Sequence, residues 1–127
     1  MSNDVYPKDY PNWRTNAFDR AEDAAYAFGY HLIVHCRDEA IATIPQDASQ
    51  DTRKITEEAV DVALHNVMDM LEGFWKLETG PEHSIELALG VRVHDADNNV
   101  LETNEISPCK QDLPIGYWKW AHYREFR

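Results

Sequence analysis

The chain has 127 residues, of which 43% are hydrophobic and 11% aromatic, and its formal charge is −11. This length suits one domain with a single core, and the composition excludes a disordered chain. The negative charge disfavours nucleic-acid phosphates and anionic membrane surfaces, and no apolar run is long enough to span a membrane. We therefore expect a single domain over 1–127 without nucleic-acid or membrane partners.

The start of the chain and its cysteines predict a reducing, cytoplasmic location. A secretory signal has a basic stretch followed by an apolar one, and MSNDVYPKDYPNW has neither. Cys36 and Cys109 do not form a CxxC pair, and two cysteines do not make a disulfide framework. We expect both to be free thiols.

Residues 1–15 are predicted to be irregular, and a helix is predicted to begin at the N-cap Asn16. Apolar residues then recur at helical spacing as far as residue 41, so this helix should be largely buried. Gly29 predicts a kink, and Pro45 ends the helix.

A polar connector, PQDASQDTRK at 45–54, precedes a second predicted helix. Its expected N-cap is Thr56, and Gly73 is expected just beyond its C-terminal end. The two helices would form an antiparallel hairpin over 16–75.

The C-terminal part, 84–127, predicts a β-meander. SIELALGVRVH alternates between apolar and other residues, DADNN at 95–99 is typical of a hairpin turn, and 100–106 returns as a second strand. The aromatic stretch GYWKWAHYREFR at 116–127 is interpreted as the third strand. The fold class is therefore α+β, in the order α-α-β-β-β: a two-layer sandwich of a helical hairpin on a three-stranded antiparallel meander.

Alternation divides the aromatic strand into two faces. Trp118, Trp120 and Phe126 share the face expected to enter the core, because burying large rings is strongly stabilising. Tyr117 and Tyr123 share the other face. Three covers for that tyrosine face stay open: the N-terminal segment, a second copy of the chain, or a partner or ligand.

The histidines suggest a second kind of site. His31 and His35 are one helical turn apart, as are His65 and Asp69 on the second helix. If the two helices face each other, these four side chains would bind a divalent transition metal. In the alternative interpretation, His65 and Asp69 belong to a solvated acidic face with Asp61 and Glu72.

Covalent catalysis has little support in the sequence. Cys36 follows His35 directly, so their side chains diverge by about 100° around a helix and do not pair. The sequence has neither a glycine-rich phosphate loop nor a nucleophile-elbow pattern.

The first hypothesis is a small acidic, non-catalytic protein-binding module, either a homodimer or a neutraliser of a basic partner. The acidic second helix or the tyrosine face would bind the partner through Asp61, Glu72, Tyr117, Lys119 and Tyr123. The alternative is a metal- or small-molecule-binding domain, either non-catalytic or an enzyme, that uses the hairpin histidines.

Overall fold

The structure is a computed structural model, which describes residues 9–127. Residues 1–8 of the predicted irregular segment lie outside the described part. The helical elements are a short 3-10 turn Tyr10–Asn12, α1 Ala17–His31, a π-helical segment Leu32–Asp38, α2 Glu39–Ala42, α3 Gln50–Leu71 and α4 Leu113–Tyr123. The strands are β1 Leu77–Glu78, β2 Ser84–Ile85, β3 Leu89–His94 and β4 Val100–Ser107.

The predicted start of the first helix is confirmed. The Asn16 side chain accepts a hydrogen bond from the Phe18 N–H at 3.0 Å and thereby caps α1. The helix runs through Gly29 and changes to π-helical hydrogen bonding at Leu32 before it returns to α-helix in α2. The π-helical segment bonds residues five apart, so a search for the 3.6-residue period does not reveal it.

The second long helix begins earlier than predicted, so the Thr56 N-cap was wrong. Ser49 is the N-cap, and its hydroxyl accepts from the Thr52 N–H at 3.1 Å. The first turns of α3 are polar, so they carry no apolar periodicity by which the sequence would reveal them. The predicted glycine past the end is confirmed, because Gly73 has φ 81°.

The predicted three-stranded meander was wrong. β1 pairs antiparallel with β2, and β3 pairs antiparallel with β4, which gives two separate two-stranded sheets within residues 9–127. The single strand expected over 84–94 is divided between them, because alternation shows which side chains are apolar but not which strand supplies hydrogen bonds. The 95–99 turn is confirmed: the Asp95 carboxylate accepts from the N–H groups of Asp97 and Asn99, both at 2.9 Å.

The predicted third strand is instead the helix α4. Asp112 caps it, and Pro114 lies in its first turn, where a missing N–H does no harm. Its buried residues recur at helical spacing: Leu113, Tyr117, Trp120 and Ala121. The helix ends at Arg124, which has the left-handed conformation φ 49°, ψ 42°. The strand interpretation failed because alternating rings resemble a β pattern while the hydrogen bonds and the cap favour a helix.

The core lies where α1, α3, α4 and β4 meet. Its largest fully buried side chains include Trp120, Tyr117, Phe126, Ile33, Met68 and Ile106. Trp120 and Phe126 thus enter the core as predicted, whereas Trp118 is only half-buried at its margin. Over residues 9–127, no helix has the length and apolar character needed to cross a membrane.

Helix α1 approaches α4 closely at Gly29. A Cβ atom at this position would stand 2.3 Å from Trp120 Cδ2, so the glycine makes room for the indole face. The Phe28 ring packs edge-on against the same indole, with 6.0 Å between ring centroids. The absent side chain at position 29 therefore sets the distance between the two helices.

Polar contacts attach the N-terminal half to the β3–β4 sheet. The guanidinium of Arg20 donates to the Glu102 carboxylate, with Nη2 2.6 Å from Oε2, and the Tyr10 hydroxyl donates to the same carboxylate. The hydrogen bonds from Arg20 are the largest cause that lowers the pKa of Glu102, and burial acts in the opposite direction. Hydrogen bonds from Tyr10 and Asn104 lower this pKa further, to about 2.

Gly29→Ala is expected to lower the free energy of unfolding by about 1–3 kcal/mol, despite the better helix propensity of alanine, because its Cβ overpacks the indole. Urea unfolding measures this. The matched control is Gly90→Ala, whose Cβ would lie 3.4 Å from Thr103 Cγ2, and it should change stability little. Equal stability of Gly29→Ala and the wild type would contradict the close approach.

Glu102→Gln is expected to reduce stability at neutral pH and to leave it nearly unchanged in acid. The folded pKa of about 2 lies below the ordinary 4.5, so the contribution of this carboxylate is complete above pH 4.5 and is lost as the pH falls towards 2. Urea unfolding of both proteins across this range should show their free energies converging with falling pH. A gap that stays constant would contradict the ionic role.

Candidate functional site

The Asp61 carboxylate lies where the π-helical segment, α3 and α4 meet, and it is only 8% exposed. Its Oδ1 accepts from Arg37 Nε at 2.7 Å and from the Tyr117 hydroxyl at 2.6 Å. Its Oδ2 lies 3.3 Å from Arg37 Nη2 and 3.8 Å from His122 Nε2. This buried carboxylate is therefore enclosed by donors from two neighbouring elements.

Burial alone would raise the pKa of the Asp61 carboxyl, but the hydrogen bonds from Arg37 and Tyr117 outweigh burial and hold that pKa below its ordinary value. Burial is also the main cause that raises the pKa of Tyr117, and the hydrogen bond to Asp61 raises it further. At neutral pH, Asp61 is therefore ionised and Tyr117 keeps its proton. Such a pair is stable in one protonation state and unsuited to proton transfer.

The same network continues to the end of α4. Arg37 Nη1 lies 3.5 Å from Asp38 Oδ1, and Arg124 Nη2 donates to Asp38 Oδ2 at 2.7 Å. Two carboxylates and two guanidiniums thus alternate between α3, the π-helical segment and the C-terminal end of α4. The arrangement compensates its own charges, as a structural network does.

A stack of rings borders this network on the solvent side. His65 on α3 lies 4.8 Å from the Trp118 ring at an interplanar angle of 24°, and Trp118 lies 4.9 Å from the His122 ring. The His65 Nδ1 atom is 3.6 Å from Asp69 Oδ2. These contacts hold α4 against α3 along one edge.

The predicted metal ligands occur as two pairs. His31 and His35 are exposed, and their rings stack with 5.4 Å between centroids at an angle of 2°. His65 and Asp69 form the second pair, beside Trp118. Within the described residues, no group of three or more histidine, cysteine or acidic side chains is arranged to hold a metal ion.

The predicted partner-binding residues divide between interior and surface. Tyr117 and Asp61 are buried and bonded to each other, and Glu72 Oε1 accepts from the Cys109 N–H at 2.9 Å. Tyr123, 77% exposed, and Lys119 are on the surface. The tyrosine face therefore does not exist as one surface, because helical spacing directs Tyr117 inward and Tyr123 outward.

Helix α3 has an apolar side that faces solvent. We define its outward face as six exposed residues: Thr52, Ile55, Ala59, Val62, Ala63 and Asn66. Ile55 is 67% exposed and Val62 is 56% exposed. None of the six is charged, although 28% of the chain is charged. The inward side of the helix packs against α4 through Leu64, Met68 and their neighbours.

The outward face has an acidic border, and two exposed aromatic residues follow the helix in the chain. Asp51, Glu58 and Asp69 fall on one side of it by helical spacing, and we call them the acidic edge. Past the C-terminal end of α3, Phe74 is 74% exposed and Trp75 is 48% exposed. Exposed apolar groups rimmed by charge are typical of interaction sites.

Sequence reasoning missed this face although the sequence contains its signal. Ile55, Ala59, Val62 and Asn66 are separated by four, three and four residues, the spacing of a helix–helix seam. The same helix has another apolar stripe, which carries Leu64 and Met68 and faces the core, so apolar spacing alone does not separate the exposed stripe from the buried one.

Known proteins give no guide to this site. No family model, no curated protein and no solved structure matches the chain. The described residues alone carry the functional conclusion.

Tyr117→Phe is expected to lower the free energy of unfolding by about 1.5–3 kcal/mol, because it removes a hydrogen bond to a buried charge. It should also raise the pKa of Asp61, since one donor that lowers this pKa is lost. Denaturant unfolding and an NMR titration of Asp61 measure the two effects. Tyr123→Phe is the matched control and should be neutral, because this ring is 77% exposed.

Proposed function

We propose that this protein is a non-catalytic protein-binding module that binds a basic helical segment of a partner on the outward face of α3. The observation that carries the proposal is the absence of charge from the six exposed residues of that face. The Asp61 network has a structural role in this proposal, because its carboxylate and the Tyr117 hydroxyl satisfy each other in the interior.

An uncharged stripe on the solvent-facing side of a helix indicates a surface that binds a partner. A helix with one packed face ordinarily presents charged and polar residues on the opposite face. Here Ile55 and Val62 lie on the face opposite the core side, which carries Met68. Phe74 and Trp75 follow α3 in the chain, are exposed, and are of the residue types that interfaces favour.

The spacing of the stripe favours a helical partner. Side chains at 55, 59, 62 and 66 form one stripe over about three turns in the middle of the 22-residue helix. Such a stripe packs against a second helix whose apolar residues follow the same spacing. Asn66 places one amide in the seam, and a polar residue in a seam favours one register over others.

Charge favours a basic partner over a second copy. The acidic edge borders the stripe, and the chain as a whole carries −11. Two copies would bring like charges together, whereas a basic segment gains attraction and faster association. The two cysteines are exposed free thiols, which suits a partner met in the reducing cytoplasm.

The test is the binding of a synthetic helical peptide of about 20 residues, with leucines at the four–three spacing and lysines beside them. The protein should bind this peptide with an affinity that falls as salt rises. A peptide with glutamates in place of the lysines should bind at least about tenfold more weakly. Fluorescence anisotropy of labelled peptides measures both affinities.

Val62→Glu places a charge in the middle of the stripe and should weaken the binding of the lysine peptide by at least about tenfold. Phe18→Glu is the matched control, because Phe18 is 65% exposed on α1 and lies off the face. Equal affinity for both peptides, or no effect of Val62→Glu, would overturn the proposal. Sedimentation showing a dimer that Val62→Glu dissociates would instead assign the face to a second copy.

A further inference from the structure

A cleft of about 300 Å³ lies between α1 and α4, and it shares no residue with the outward face of α3. Helix α1 contributes Glu22 and Tyr26, and α4 contributes Gly116, Lys119 and Trp120, with Asp112 at its N-terminal end. Its lining therefore combines aromatic rings with charges of both signs. Such a combination of an apolar wall and few polar groups is typical of small-ligand sites.

One polar group in this lining has no hydrogen-bond partner among residues 9–127. Trp120 is 2% exposed, and among the described residues its indole Nε1–H finds no acceptor. Buried donors are almost always hydrogen-bonded in native proteins, so an unsatisfied one requires an explanation. An acceptor supplied by a ligand is such an explanation.

Gly116 brings this part of the indole to the cleft. A Cβ atom on Gly116 would lie 2.8 Å from Trp120 Cζ2 and 3.3 Å from Cε2, the atom to which Nε1 is bonded. A helical side chain leans back over the residue four positions before it, which places the ring over Gly116. Gly116 and Trp120 both line the cleft, and the glycine leaves this edge of the ring uncovered by a side chain at position 116.

The charges around the cleft select the ligand class. Lys119 is exposed at the rim and provides an ammonium group. Glu22 and Asp112 provide carboxylates held in place by neighbours: Glu22 Oε1 lies 3.3 Å from Arg14 Nη2, and Asp112 caps α4. A simple anion would be repelled by both carboxylates, and a simple cation would face Lys119 and leave the indole N–H unsatisfied.

We propose that this cleft binds a small zwitterion, a free α-amino acid with an aliphatic side chain. Its carboxylate accepts from the Lys119 ammonium and the Trp120 indole N–H, and its ammonium faces Glu22 and Asp112. Its side chain packs against the Tyr26 ring. Burial first, and then the charge of Glu22, raise the pKa of Tyr26, so this ring stays neutral and suits an apolar group.

The experiment follows the indole N–H signals of the ¹⁵N-labelled full chain by NMR during titration with L-leucine. The Trp120 signal should shift saturably at millimolar leucine, whereas the signal of Trp75, which lies outside the cleft, should not. Two analogues test the two charged groups of leucine one at a time: 4-methylpentanoate lacks the ammonium group, and 3-methylbutylamine lacks the carboxylate. Each should bind at least about tenfold more weakly than leucine.

Lys119→Met should weaken the binding of leucine at least about tenfold. It should not unfold the protein, because Lys119 is exposed. Val62→Glu on α3 should leave leucine binding unchanged, which separates this test from that of the proposed function. The absence of a saturable Trp120 shift, or equal binding of leucine and either analogue, would overturn the proposal.

Discussion

The hydrogen bonds of the Asp61 carboxylate join three helical elements: α3, which carries Asp61, the π-helical segment, and α4. Arg37 reaches it from the π-helical segment, and Tyr117 reaches it from α4. A buried charge requires such donors, because without them its desolvation would be strongly unfavourable. Their geometry therefore fixes how α4 lies against α3, and with it which side of α3 is left to solvent.

Local signals predicted what local chemistry determines. The Asn16 cap, the left-handed Gly73 and the 95–99 turn each depend on a few neighbouring residues, and each is present. The aromatic stretch at 116–127 has the alternating rings of a strand, yet most of it is helical, because Asp112 and Pro114 are the start signals of a helix and stand just before it. The break within 84–94 depends on which strands pair, and that is a tertiary property.

In the candidate surface, too, tertiary contacts determine what the local sequence does not. The sequence predicts the acidic second helix or the tyrosine face as the binding surface, and helical spacing places Asp61 and Glu72 on the outer side of that helix. Three tertiary contacts reverse this: Arg37 and Tyr117 draw Asp61 inward, and the Cys109 N–H holds Glu72. The outward face then consists of Ile55, Val62 and small residues, which a charge-based assignment passes over.

The end of α4 combines two demands that favour different amino acids. The backbone at position 124 is left-handed, a conformation that favours glycine or asparagine, yet its guanidinium binds Asp38 at 2.7 Å. Replacement by glycine would relax the main chain and detach the helix end from the π-helical segment. Arginine at this position therefore keeps an unfavourable backbone conformation and gains an ion pair with a distant residue. The end of α4 is for this reason a poor target for improving the stability of the protein.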